Sequence, residues 1–82
     1  TVLVIDDDRT VTHLVEKTLS APDLSVVTAR TAEEGLGLVR SARPDVVLLD
    51  IMLPGASGLE VFHKIQEVDR RLPVMFITAG AG

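Results

Sequence analysis

The sequence contains no cysteine and almost no aromatic residues. The absence of thiols excludes disulfides, thiolate metal sites and cysteine nucleophiles, and it fits a cytoplasmic protein. The aromatic content is 2%, contributed by Phe62 and Phe76 alone, which leaves no platform for stacking nucleic-acid bases. Because the net charge is -4 and no basic stripe is present, we expect no direct binding of nucleic acid.

Long hydrophobic runs are also missing. No apolar stretch approaches the roughly 20 residues that span a bilayer, and no cationic segment precedes an apolar run at the N-terminus, as a signal peptide requires. We therefore expect no membrane partner. The 82 residues suffice for one small domain, and a hydrophobic content of 46% is too high for a disordered chain.

Four short apolar runs predict strands buried on both faces of a sheet. These runs are residues 2–5, 24–29, 45–50 and 74–78. A loop is expected over residues 51–56, which contain Pro54 and Gly55.

The three segments between these strands carry helical signals. Residues 9–20 place apolar side chains, from Val11 to Leu19, on one helical face. Thr31 with Glu34, and Ser57 with Glu60, form capping boxes that open two further helices. Gly35 and Gly37 are expected to weaken the second helix by up to ~1 kcal/mol each relative to alanine.

The resulting order is βαβαβαβ. Alternating units of this length predict a parallel sheet with helices on both faces and right-handed crossovers. In such sheets, ligands bind at the carboxyl ends of the strands. The residues that follow each strand are therefore the candidates for a functional site.

Acidic residues occupy two of these positions. Asp6, Asp7 and Asp8 follow the first strand and Asp50 ends the third, so neighbouring strands would bring mutually repelling carboxylates together. Mg²⁺ is a hard cation that relieves this repulsion and is usually held by one or two carboxylates plus phosphate. Asp50 is then a candidate nucleophile toward phosphorus.

Two further residues fit this chemistry. Thr78, at the end of the fourth strand, is a candidate to hydrogen-bond a phosphoryl oxygen through its hydroxyl group. The backbone carbonyl of Met52 is a candidate neutral metal ligand.

Three segments, residues 2–8, 46–58 and 75–79, jointly resemble the receiver domains of two-component response regulators. The first resembles the family's acidic strand end, here Asp6 and Asp7, and the second its phosphoacceptor strand and loop around Asp50. The third resembles the strand whose terminal Thr or Ser contacts the phosphoryl group, here Thr78. Within the family, the sequence of these segments resembles that of receivers attached to sigma-54-type transcriptional activators.

The resemblance implies a flavodoxin-like, three-layer α/β fold with strand order 2-1-3-4. It also implies phosphorylation of Asp50 by a histidine kinase, with Mg²⁺ or Mn²⁺ held by Asp6, Asp7, Asp50 and the Met52 carbonyl. An output domain is expected to follow, one that binds DNA and regulates transcription. A receiver accepts a phosphoryl group and is not an enzyme beyond self-catalysed phosphorylation and dephosphorylation.

The sequence departs from the family at its C-terminal side. The resemblance covers residues 1–82, whereas family members continue with a helix, a fifth strand, a last helix and a lysine that pairs with the phosphoryl group. Lys17 and Lys64 lie on helices and do not replace that lysine. We therefore regard the receiver as C-terminally incomplete, and we expect its exposed sheet edge to favour a homodimer or swapped oligomer.

Other interpretations exist for the acidic residues and for the whole chain. Asp8 is expected to cap the first helix, and His13 and His63 to be solvated. A dinucleotide-binding fold is rejected because no G-x-G-x-x-G turn follows the first strand. A dehalogenase-like phosphatase would have Asp-x-Asp around the nucleophile, whereas Asp50 is followed by Ile and Met. A receiver-like module that works only through protein contacts remains the alternative.

Overall fold

A computed structural model describes residues 1–19 and 21–77. The predicted alternation of strands and helices is confirmed, with one extra hairpin. The elements in chain order are β1 (Val2–Ile5), α1 (Arg9–Thr18), β2 (Val26–Ala29), α2 (Ala32–Ala42), β3 (Val46–Asp50), β4 (Met52–Leu53), β5 (Ala56–Ser57), α3 (Gly58–Val68) and β6 (Val74–Ile77).

The four longer strands form one parallel sheet in the order β2-β1-β3-β6. This confirms the expected order 2-1-3-4, with β6 as the fourth strand of that sheet. Ile5 of β1 lies opposite Leu49 of β3, so the next residues, Asp6 and Asp50, emerge side by side. The two central strands therefore deliver their acidic ends to one edge of the sheet.

The start of each helix is fixed by a side-chain cap. Asp8 accepts a hydrogen bond from the Thr10 amide at 2.9 Å, which confirms its expected capping role. Thr31 Oγ1 and Ser57 Oγ accept from the amides three residues later at 3.1 and 3.2 Å, which is the N-cap half of the two predicted capping boxes. These caps set where α2 and α3 leave the carboxyl edge of the sheet.

The core lies between the sheet and the helices α2 and α3. Leu3, Ile5 and Leu49 from the sheet and Val61 and Ile65 from α3 are almost fully buried. Burial of an aliphatic side chain of this size contributes about 1.5–3 kcal/mol, so these residues hold the strand ends in place.

Helix α2 approaches the sheet closely at Gly35. A Cβ atom built there would lie 2.5 Å from Cδ1 of Ile5. At Gly37, by contrast, a Cβ atom would meet nothing within 4 Å. Gly35 thus permits the contact between α2 and β1, whereas Gly37 makes no such contribution.

The inward face of α1 differs from the prediction. Leu14 is 63% exposed, whereas Thr12 is buried. Among the described elements α1 contacts mainly β1 and β2, and these contacts leave Leu14 largely exposed. The predicted helix is correct, but its apolar face is only partly covered by the described residues.

The segment expected to be a loop contains a short hairpin. Met52 pairs with Ser57 and Leu53 with Ala56. Pro54 and Gly55 form the turn, and Gly55 has a φ of 75°, as the third residue of a type II turn requires. The second strand is also shorter than predicted and begins at Val26.

The helices of the described residues are all too short or too polar to cross a bilayer.

Candidate metal and phosphoryl site

Asp6 is the deepest residue of the acidic cluster. Its side chain is fully buried at the end of the central strand β1. Oδ1 accepts a hydrogen bond from the Asp8 amide at 2.9 Å, which fixes the orientation of the carboxylate. Oδ2 is also buried, yet no described residue donates a hydrogen bond to it. A buried carboxylate oxygen without a hydrogen-bond donor destabilises the fold. A positive charge beside Oδ2 would relieve this cost.

Asp6, Asp7 and Asp50 lie together. Each offers one carboxylate oxygen, and these oxygens are all within 4.8 Å of one another. Asp7 is exposed, whereas Asp50 is 9% exposed, so the cluster reaches solvent mainly at Asp7. The structure thus brings together three of the four predicted metal-site residues.

Asp50 is held by the chain that follows it. Its Oδ1 accepts a hydrogen bond from the Met52 amide at 3.1 Å, and no described residue donates one to Oδ2. The main chain of Met52 therefore lies beside the Asp50 carboxylate, while its side chain is 79% exposed. That the Met52 carbonyl binds a metal stays a prediction.

The loop after Asp50 is shaped by a close backbone approach at Gly58. The Gly58 amide donates to the Ile51 carbonyl at 2.7 Å, and a Cβ atom at Gly58 would lie 2.8 Å from that same oxygen. Any larger residue would push the loop away from the start of α3. Gly58 therefore fixes the path of the chain at Ile51, the residue that follows Asp50.

Burial and the neighbouring carboxylates change the pKa of Asp6. Its pKa is raised above the ordinary value of 3.8, chiefly because burial removes the carboxylate from water. The hydrogen bond from the Asp8 amide opposes this rise in pKa, while the charges of Asp50 and Asp7 add to it. A divalent cation would offset both the desolvation and the repulsion.

The residues present fit such a cation. Carboxylate oxygens are the donors that Mg²⁺ prefers, and the oxygens of the cluster are close enough to share one ion. The unpartnered Oδ2 of Asp6 supplies an independent reason to place positive charge there.

Thr78, the fifth predicted site residue, lies outside the described residues.

One neighbour of the site was assigned no role from the sequence. Arg30 follows β2 and, with Asp7 and Pro54, lines a small cleft of about 400 Å³ beside the cluster. The signal was present in the sequence, since Arg30 occupies the carboxyl end of a predicted strand.

Comparison with known proteins supports this geometry. The response regulator receiver domain family matches residues 2–82. The chain is 40% identical over 79 residues to the probable transcriptional regulatory protein TcrX of Mycobacterium tuberculosis, covering 96% of this chain and 34% of that protein. It is 42% identical over 77 residues to the transcriptional regulatory protein AfsQ1 of Streptomyces coelicolor, covering 94% of this chain and 34% of that protein.

Solved structures agree in fold. A CheY-like receiver domain protein from Methanospirillum hungatei superposes with a TM-score of 0.89 at 27% identity, over 99% of this chain and 65% of that one. The response regulator TrrA from Thermotoga maritima, solved in complex with Mg(2+)-BeF, superposes with a TM-score of 0.86 at 34% identity, over 98% of this chain and 70% of that one.

The chain spans about a third of the length of the curated relatives it matches, 34% for both TcrX and AfsQ1. The match to the family nevertheless extends over nearly the whole chain. Together with the parallel sheet order and the acidic cluster at its carboxyl edge, this match assigns the chain to the response regulator receiver domain family.

Proposed function

We propose that this receiver domain accepts a phosphoryl group on Asp50 with the help of a divalent cation, Mg²⁺ or Mn²⁺. The observation that carries the proposal is the acidic cluster, in which three carboxylates converge and the buried Oδ2 of Asp6 has no donor among the described residues. The related TrrA was solved in complex with Mg(2+)-BeF, which supports the use of a divalent cation.

The nucleophile of the step is an oxygen of Asp50. An Oδ–P bond forms while the bond between phosphorus and the donor breaks; with a phosphohistidine donor, the departing imidazole nitrogen keeps the electron pair and takes up a proton. The Met52 amide holds Oδ1 at 3.1 Å. Oδ2, to which no described residue donates, is the oxygen that we assign to the attack.

Asp6, Asp7, Asp50 and the Met52 carbonyl would hold the cation. When bound, it supplies positive charge that offsets repulsion between the carboxylates and the incoming phosphoryl oxygens. Asp6 stays fixed through its bond from the Asp8 amide. Thr78 is proposed to donate its hydroxyl hydrogen to a phosphoryl oxygen, and this contact is proposed to change the surface beyond β6.

The partners follow from the family and the relatives. We propose a histidine kinase as the phosphoryl donor and an output domain under the receiver's control. TcrX and AfsQ1 are named as transcriptional regulatory proteins, which supports transcription as the output. The domain is then a substrate of the kinase rather than an enzyme, and we place it in the cytoplasm, where the ATP used by the kinase is available.

The outer edge of β6 supports self-association. Among the described residues no strand pairs with this edge, and Met75 and Phe76 are 60% and 42% exposed. We propose a homodimer or swapped oligomer through this edge. Light scattering should give a mass above that of one chain, and Met75→Lys, which adds a charge to the edge, should lower it. A monomeric mass at high concentration would contradict self-association.

A protein-contact module without phosphotransfer is not favoured. Such a module would gain nothing from an unpaired buried carboxylate, because a buried charge without a partner destabilises the fold. A phosphorylation assay distinguishes the two functions, because only a phosphoacceptor gains a phosphoryl group.

The test is incubation with acetyl phosphate and MgCl₂, followed by intact mass measurement. We expect one added phosphoryl group, lost when the metal is chelated and lost in Asp50→Asn. Asp23→Asn, which removes an exposed carboxylate outside the site, is the matched control and should be labelled normally. Undiminished labelling of folded Asp50→Asn would overturn the assignment.

A further inference from the structure

A larger concave surface lies at the opposite edge of the sheet from the acidic cluster. It is a groove of about 920 Å³ between the C-terminal parts of α2 and α3 and the segments that lead into β3 and β6. Grooves of roughly 300–1,000 Å³ are typical of ligand-binding sites. We call this surface, formed by residues from 36–44 and 64–72, the α2–α3 groove.

The lining of the groove is apolar in part. Leu36 and Val68 are partly buried and Leu72 is 5% exposed, so their side chains both pack on the core and border the groove. No aromatic residue lines it. The groove therefore offers aliphatic contact and no stacking platform for nucleic-acid bases.

The polar lining of the groove contains three cations. Arg40, Arg43 and Lys64 are all exposed. None forms an ion pair with another described residue, since the only salt bridge found across residues 1–19 and 21–77 joins the N-terminal amine of Thr1 to Asp45 at 2.7 Å. In a protein with a net charge of -4, this concentration of positive charge stands out.

Two carboxylates also line the groove. Asp69 Oδ1 accepts a hydrogen bond from the Arg71 amide at 3.0 Å, so part of its bonding capacity is used by the local turn. Glu67 is exposed and lies three residues after Lys64 on α3. The groove keeps an excess of positive charge, but the two acids disfavour a ligand as densely charged as a nucleic acid.

Arg43 is an unusual residue type for its backbone position. It is the C-cap of α2, with φ 47° and ψ 62° in the left-handed region. Glycine or asparagine is the favoured residue at such helix ends. An arginine kept at an unfavourable backbone position, with its side chain at the groove, is the kind of outlier that points to a function.

We propose that the α2–α3 groove binds an acidic peptide segment of a partner protein that carries aliphatic side chains. The aliphatic side chains would contact the apolar lining, and the peptide carboxylates would pair with Arg40, Arg43 and Lys64. This interaction is separate from the phosphoryl site, because the groove lies at the amino ends of β3 and β6 and Asp50 at the carboxyl end of β3.

The probe is a labelled peptide of repeated Glu-Glu-Leu, measured by fluorescence anisotropy with the whole chain at low ionic strength. Peptides of repeated Gln-Gln-Leu and Glu-Glu-Ser remove the charge and the aliphatic side chains, and both should bind more weakly. Arg43→Gly and Lys64→Gln should each weaken binding by about 1.5-fold to fivefold, the range for exposed charge pairs.

The variants include their own controls. Arg43→Gly suits the left-handed backbone, so it should unfold at the same temperature as the parent or higher, which separates lost binding from lost folding. Lys17→Gln removes an exposed cation on α1, outside the groove, and should leave binding unchanged.

Three outcomes would overturn the proposal. They are no binding of the Glu-Glu-Leu peptide at low ionic strength, an equal loss in Lys17→Gln and the groove variants, and equally tight binding of an oligonucleotide of the same charge. The last result would identify a general attraction of anions rather than a peptide site.

Discussion

Replacement of Gly35 by alanine tests whether α2 is held against β1 as closely as the structure indicates. The new Cβ atom would lie 2.5 Å from Cδ1 and 2.9 Å from Cγ1 of Ile5, which is fully buried. Overpacking of this kind costs about 1–3 kcal/mol. The better helix propensity of alanine returns at most ~1 kcal/mol. We therefore expect Gly35→Ala to lower the free energy of unfolding by up to about 2 kcal/mol.

Gly37→Ala is the matched control. It makes the same chemical change two residues along the same helix, where a Cβ atom meets nothing within 4 Å. There the gain in helix propensity is unopposed, so stability should rise by up to ~1 kcal/mol. Both variants gain the same helix propensity, so they should differ by the overpacking cost of about 1–3 kcal/mol. At about 4–8 °C per kcal/mol for a domain of this size, this is a difference in Tm of about 4–24 °C.

The assay is thermal unfolding followed by circular dichroism, in one buffer for all variants. A double variant carrying Ile5→Val with Gly35→Ala removes the Cδ1 atom and should recover part of the loss, with a coupling energy of about 0.5–3 kcal/mol. If Gly35→Ala raised Tm as much as Gly37→Ala, the reasoning about the close approach of α2 would be refuted.

Three further predictions concern the acidic site and its supporting helix. Asp6→Asn should raise the thermal stability of the metal-free protein, because it removes a buried charge, and should abolish the stabilisation by MgCl₂, which reaches about 2.7 kcal/mol at 100 times Kd for a competent site. Because the pKa of Asp6 is raised in the folded protein, the stabilisation that this group contributes is fully present below the ordinary value of 3.8 and is lost as pH rises through the raised pKa. The free energy of unfolding of the metal-free parent and of Asp6→Asn should therefore depend differently on pH, and the same pH dependence in both would contradict this. Ser57→Ala should cost ~1 kcal/mol through loss of the α3 cap, whereas Ser41→Ala, an exposed change within α2, should be nearly neutral in chemical denaturation.

Local signals were enough to predict most of the architecture. Apolar runs located the four long strands, and Thr31 and Ser57 located the starts of α2 and α3 to the residue. The same alternation placed the acidic residues at one sheet edge, and the structure brings Asp6, Asp7 and Asp50 together there. The strand order came from the family resemblance, because periodicity does not say which strands are neighbours.

The features that were missed depend on tertiary contacts. Gly35 and Gly37 have the same helix propensity, and only the position of Ile5 distinguishes them. The face of α1 was misjudged because Leu14 fits the helical period, yet its side chain is 63% exposed among the described residues. The unpartnered state of Asp6 Oδ2 likewise depends on where distant chain segments lie.

The hairpin β4–β5 was missed for a different reason. Its signal was local, since Pro54 and Gly55 lie between the pairs 52–53 and 56–57. The apolar and polar residues of those pairs are too few to show a strand period, so the turn was recognised and the flanking strands were not.

The most direct test of the central claim is chemical trapping of the phosphorylated residue. An acyl phosphate is reduced by borohydride to an alcohol, which would convert the modified aspartate to homoserine. After treatment with acetyl phosphate, MgCl₂ and borohydride, tandem mass spectrometry of the digested protein should find homoserine at position 50 and nowhere else. Homoserine at Asp6 or Asp7, or a phosphoryl group that resists borohydride, would contradict the account of Asp50 as the phosphoacceptor.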